Sequence, residues 1–261
     1  MGRVGIDCVT AAEALGAIEK LVLAGRGGSV FTPNVDHIVI AESDDALAHA
    51  YADVSLSLAD GAPLVWVSRL LGRPLPERVA GSDLFLPLMK LAARRAWRVY
   101  LLGGAPDVAA AAADHLITRV GVNVVGWSSP MIGRDGSDAS GESVERVRAA
   151  KPDLLIVAFG NPKQELWIRQ AGDAIGPVVS LGLGAVLDFL VGRQTRAPRW
   201  VARVGAEWLF RLVQEPRRLW RRYLIQDPLF LKIVLETFLR DRSSQLLGSG
   251  ATSSRPKPSS H

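Results

Sequence analysis

Cysteine is almost absent. Cys8 stands alone among 261 residues, which excludes an internal disulfide and points to a reducing compartment. No run approaches the roughly 18–20 apolar residues that cross a bilayer. Asp7 and Glu13 break the basic-then-apolar order of a secretory leader, so a cytoplasmic protein is expected. The four histidines, His37, His49, His115 and His261, are scattered, and no His/Cys group has ligand spacing, so no metal site is expected. No Gly-x-Ser-x-Gly elbow for a nucleophilic serine occurs. The stretch Asp135–Asp138 lacks the remaining ligands of a calcium loop and reads as a surface turn.

What the chain does have is apolar residue: 48% of it, enough to bury a sizeable core. Short apolar runs bounded by turn residues occur at Ser29–Thr32, Val54–Leu58, Trp97–Leu102, Val122–Gly126, Leu154–Phe159 and Val178–Leu183. Helical patterns such as Asp107–Arg119 and Ser143–Ala150 lie between them. That alternation predicts an α/β fold, a Rossmann-like, mostly parallel sheet flanked by helices, over residues 1–192.

Near Arg193 the pattern changes. Arg193, Arg196, Arg199, Arg203, Arg211, Arg217, Arg218, Arg221 and Arg222 follow, opposed locally by Glu207 and Glu215. Such a block suits an anionic partner or a solvated helical face. No strand pattern appears over residues 193–242, and Pro198, Pro216 and Pro228 are each placed to open a helix. A C-terminal helical appendage is expected there, and residues 243–261, rich in Ser, Gly and Pro, are expected to be disordered.

Four strand ends carry polar residues or a glycine pair. Asp60 follows the second run and precedes Gly61 and Pro63; ligands of open α/β sheets bind beyond such carboxyl ends. It is either a general base in a partly desolvated site or a cap of the next helix. Thr32 and Asn34 follow the first run and suit a sugar or nucleotide, or else an N-cap. Gly103 and Gly104 let backbone approach a phosphate at a helix N-terminus, although the third glycine of a dinucleotide fingerprint is missing. Gln164, in the first turn after Gly160–Asn161–Pro162, either reaches a ligand or caps.

These segments, in order, resemble one family. Thr32-x-Asn34, Ala59–Gly61, Glu77–Asp83, Gly160–Glu165, Gly182–Gly192, Arg196–Pro198 and Glu207–Leu212 look like the motifs of the WecG/TagA/CpsF glycosyltransferases, over about Val4 to Arg222. The resemblance implies an inverting, metal-independent transferase without a cofactor. It would move a sugar from a UDP-sugar onto a polyprenyl-diphosphate-linked sugar, for teichoic acid, common antigen or exopolysaccharide. It further implies Asp60 as base, with Thr32, Asn34, Arg78 and Gln164 around the substrates. Arg211, Arg218 and Arg221 would supply charge to the departing diphosphate. Asp83 is read as a cap or as the partner that orients Arg78.

With that reading, the arginines and Trp200, Trp208, Leu219, Trp220, Tyr223, Leu224 and Phe230 suit an anionic membrane surface, or else docking onto the main domain. The appendage is expected to close over the site when membrane, acceptor or a subunit partner is present. A homo-oligomer is compatible and a nucleic-acid partner is not expected. After Asp60–Gly61 this chain has Ala62–Pro63 where many members carry a second glycine. N-acetylmannosamine is the favoured donor sugar, with its uronic acid, glucose or glucuronic acid open. Two rivals remain at this level: a nicotinamide-dependent oxidoreductase, and a non-catalytic membrane- or nucleic-acid-binding module.

Overall fold

Each apolar run ends in a strand of one sheet. In the computed structural model, which describes residues 1–138, 140–194 and 229–239, the strands are β1 Gly28–Phe31, β2 Leu56–Ser57, β3 Arg98–Gly103, β4 Asn123–Ser128, β5 Leu154–Ala158 and β6 Val179–Gly182. They form one sheet in the order β2-β1-β6-β5-β3-β4, and every neighbouring pair is parallel. The expected mostly parallel α/β fold is therefore observed in an all-parallel form.

Period-two alternation explains how both faces are covered. In β5, Leu155 and Val157 face one core, with Ile38 of α2 (Val35–Ser43), Leu47 of α3 (Asp45–Ala52), Val147 of α7 (Glu142–Ala150) and Trp167 of α8 (Lys163–Ala171). Leu154 and Ile156 face the other, with Ile18 of α1 (Ala11–Ala24), Leu88 of α5 (Gly81–Arg94), Val108 of α6 (Pro106–His115) and Leu187 of α9 (Val186–Leu190). The predicted helix at Asp107–Arg119 is present, its last turn widened to a π turn at Leu116–Val120. The Asp135–Asp138 turn is held by Asp135, whose Oδ1 accepts from the Ser137 hydroxyl at 2.7 Å.

Helix α4 (Ala62–Leu70) begins directly after Asp60–Gly61, with Pro63 in its first turn. Residues 229–239 form a further helix, α10. Its Phe230, Ile233 and Val234 are buried in the same core as Val4 and Ile38, and Thr237 accepts from the Gly2 backbone N–H at 3.3 Å. Phe230, counted above among the candidate lipid contacts, is thus docked on the α/β body. The remaining aromatic residues of that group lie outside the described residues, as do most of the expected appendage and the whole tail. Among the described residues no helix is long and apolar enough to cross a membrane.

Candidate active site

The sheet order fixes where a ligand crevice can form. The chain leaves β3 toward β4 and leaves β5 toward β6, so successive connections diverge between the neighbours β3 and β5. Such a reversal opens a crevice at the carboxyl ends of the strands. Gly103 and Gly104 line it from β3. Gly103 has φ +107°, and a Cβ there would stand 2.7 Å from the Ala158 carbonyl oxygen. Only glycine lets the two strand ends approach so closely, and the Gly104 N–H donates to that same oxygen at 3.0 Å. Beside them a cleft of about 490 Å³ is lined by Pro106, Trp127, Ser129, Pro130, Glu142 and Arg146, among others.

At the other side of the sheet, β1 and β2 run on as extended chain. The Leu58 N–H donates to the Phe31 oxygen, Asp60 N–H to the Pro33 oxygen and Val79 N–H to the Ala59 oxygen, each at 2.8 Å. Asp60 therefore lies level with Pro33–Asn34, half-buried. The N-cap of α4 is Gly61, with no side-chain cap bond, so Asp60 stands one residue before the cap position.

Asn34 does cap. Its side-chain oxygen accepts from the Asp36 N–H at 3.0 Å, and the Asn34 N–H donates to His37 Nδ1 at 3.3 Å. Thr32 is buried, its hydroxyl 3.5 Å from the Gly182 oxygen on β6. Gly81, at the start of α5, packs so closely that a Cβ would lie 3.1 Å from Thr32 Oγ1.

Arg78 and Asp83 resolve into a pair: Arg78 Nη2 donates to Asp83 Oδ2 at 2.6 Å. Asp83 lies in the first turn of α5, whose N-cap is Ala80, and from there it pairs with the guanidinium. Charge-assisted contacts of that length are strong and directional.

Gln164 is buried, and its amide oxygen accepts from Gly160 N–H at 3.2 Å and Gly184 N–H at 2.9 Å. It thereby ties the turn after β5 to the turn after β6. Its Nε2 donates to Glu165 Oε1 at 2.8 Å, and His37 Nε2 faces that same oxygen at 3.3 Å. Tyr51 is adjacent, its ring edge-on to His37 at 6.2 Å between centroids. Burial pushes its phenol well above the ordinary range, and the Glu165 carboxylate adds to the rise.

His37 and Glu165 were not singled out from the sequence. The signal for His37 was its position three residues after an Asn that opens a helix, a capping-box spacing. Glu165 gave only its place beside Gln164. Arg211, Arg218 and Arg221 lie outside the described residues. Among the described residues no three His, Cys, Asp or Glu side chains come together as a metal site.

The strand ends thus gather Thr32, Asn34, Asp60 and Arg78 on one flank and Gly103–Gly104 on the other, with Gln164 bracing the turns between. The sequence profile of the Glycosyl transferase WecG/TagA/CpsF family matches residues 1–244. Over 212 residues the chain is 31% identical to the N-acetylglucosaminyldiphosphoundecaprenol N-acetyl-beta-D-mannosaminyltransferase of Bacillus spizizenii. The match covers 81% of this chain and 80% of that protein. The chain belongs to the WecG/TagA/CpsF glycosyltransferase family.

Proposed function

We propose that the protein transfers an N-acetylmannosamine-type sugar from a UDP-sugar to a sugar carried on a polyprenyl diphosphate, with Asp60 as general base. The observation that carries this is the position of Asp60. It is a half-buried carboxylate just beyond the carboxyl end of β2, level with Asn34 and one residue before the N-cap of α4. The relative from Bacillus spizizenii supports the substrate class, since its name specifies an N-acetylmannosaminyl group and a diphospholipid-linked N-acetylglucosamine acceptor.

Asp60 takes the proton of the acceptor hydroxyl as its oxygen bonds to the anomeric carbon. The bond from that carbon to the β-phosphate oxygen breaks on the opposite side, UDP leaves with the electron pair, and the configuration inverts. Thr32 and Asn34 hold the reacting sugars and Arg78, oriented by Asp83, steadies charge nearby. Gly103–Gly104, at the amino end of α6, receives the nucleotide. From β1 to β3 is three strand spacings, roughly 14 Å, a span that an extended nucleotide-sugar bridges. Arg211, Arg218 and Arg221 neutralise the departing diphosphate in place of a metal ion. The protein works peripherally on the cytoplasmic membrane face, in lipid-linked synthesis of teichoic acid or a related surface polysaccharide.

The test is a panel of UDP-N-acetylmannosamine, its uronic acid form, UDP-glucose and UDP-glucuronic acid, each with a short-chain polyprenyl-diphosphate-N-acetylglucosamine. Transfer from the N-acetylmannosamine donor, with one UDP released per product, is expected. Transfer only from another donor would overturn the sugar assignment, and no transfer from any would overturn the reading.

A further inference from the structure

Glu165 is fully buried, yet its Oε2 has no hydrogen-bond partner. His37 Nε2 and the Tyr51 hydroxyl, both buried, are likewise without one, since the 3.3 Å approach of His37 to Glu165 falls short of hydrogen-bond geometry. Burying a carboxylate that is only partly paired is costly, and an apolar side chain of the same size avoids that cost. Nothing in the packing of α8 demands an acid: Leu166, Trp167 and Ile168 beside it fill the core. The buried acid therefore calls for a reason other than stability.

Its one partnered oxygen stands at a junction. Through Gln164 Nε2, Glu165 Oε1 fixes the amide whose oxygen holds Gly160 and Gly184. Through His37 it faces the helix end that Asn34 caps, where His37 Nδ1 lies 3.0 Å from Asn34 Oδ1. Without an acceptor at Oε1 the Gln164 NH₂ would be buried unpaired, a costly state, while the two glycine N–H groups still claim the amide oxygen. If the amide turned over, its NH₂ would face two N–H groups. Any other rotation that let the NH₂ find a partner would part the turns after β5 and β6, and with the acid removed His37 would lose the group it faces.

We infer that Glu165 is a positioning residue for the transfer reaction. It pairs the Gln164 NH₂ and faces the His37 ring, and so holds the turns after β1, β5 and β6 in one arrangement around the substrates. This role presupposes the transferase reading in its kinetic consequences but not in its geometry. What Glu165 supplies is an acceptor oxygen at Oε1, so a neutral amide can replace it and an isosteric thioether cannot.

The experiment compares Glu165→Gln with Glu165→Met, two neutral side chains of similar length that differ in having a strong acceptor. Turnover is measured with amide exchange at Gly160 and Gly184, taking Leu155 of the buried strand β5 as an internal reference. In Glu165→Met, exchange at both glycines is expected to quicken at least tenfold relative to Leu155. Its kcat should fall at least tenfold, with the KM for the UDP-sugar within threefold of wild type. Glu165→Gln should keep both properties within threefold. His37→Phe cuts only the arm to α2, so it should lower kcat and leave Gly160 and Gly184 protected. That variant and Glu165→Gln decide the matter if Glu165→Met does not fold. Unchanged exchange in folded Glu165→Met, equal damage in Glu165→Gln, or full activity of His37→Phe would each overturn the role. If wild type transfers no sugar, the transferase reading fails while the exchange comparison still judges the geometry.

Discussion

The backbone N–H of Asp60 donates to the carbonyl oxygen of Pro33 at 2.8 Å, which fixes the ends of β1 and β2 side by side. One hydrogen bond thus sets the proposed base level with Asn34, the residue after Pro33. The two polar side chains come from segments 26 residues apart in sequence and reach one site because parallel neighbours end at the same edge of a sheet.

Asn34 combines a cap with a proposed substrate contact, and substitution separates the two. Asn34→Ala should cost about 1 kcal/mol of stability through the lost N-cap. Asn34→Ser keeps a capping oxygen and should retain the stability of the wild type. Both remove the amide donor, so both should lower kcat/KM at least tenfold. Denaturant unfolding and initial rates on the same samples check this.

Gly103→Ala should destabilise the protein by about 2 kcal/mol or more. A non-glycine residue at φ +107° is strained, and its Cβ would meet the Ala158 carbonyl oxygen at 2.7 Å. The neighbouring atom is backbone in the central strand β5, so it cannot yield cheaply. Urea titration followed by circular dichroism measures the loss.

Asp138 supplies an acid-sensitive contribution to stability. Burial pushes its carboxyl upward, but hydrogen bonds from Ser143 and Ser140 outweigh that and hold it at about 2. Because the folded pKa lies below the unfolded one, the stabilisation is complete above about pH 5. It is lost as pH falls through 4 toward 2. After discounting for solvent screening it is on the order of 1 kcal/mol. Asp138→Asn should flatten the stability profile in that window, as read by unfolding at pH 6 and pH 2.5.

Phe230→Ala should cost about 3 kcal/mol if α10 unfolds only together with the body whose core it shares. Should α10 release by itself, the loss will appear instead as selective proteolysis within residues 229–239 at an unchanged melting temperature. Limited proteolysis beside calorimetry separates the two.

Six strands were legible because buried parallel strands read as apolar runs, and the helices at Asp107–Arg119 and Ser143–Ala150 were legible by their patterns. Thr32, Asn34, Asp60, Gly103, Gly104 and Gln164 could be placed at strand ends for the same reason. The strand order was not legible, since pairing partners such as β1 and β6 lie about 150 residues apart (Val30 beside Leu181). That order alone brings Thr32 against Gly182. The true cap of α4 was hidden by habit: Asp is a good N-cap, yet the backbone turns one residue later, at Gly61 with φ +148°. His37 and Glu165 escaped notice because a buried polar pair has no periodic signature, and spacing rules for metal ligands do not find it. The Arg78–Asp83 pair was one of two alternatives read for Asp83, and the two side chains lie 2.6 Å apart.

The central claim, that Asp60 is the base of a sugar transfer, is tested most directly by Asp60→Asn. Turnover with UDP-N-acetylmannosamine and the short-chain lipid-diphosphate acceptor is measured together with UDP affinity and melting temperature. The account predicts a loss in kcat of about 10²–10⁴-fold, with UDP still bound and the fold intact. A folded, UDP-binding Asp60→Asn protein that turns over at the wild-type rate would contradict it.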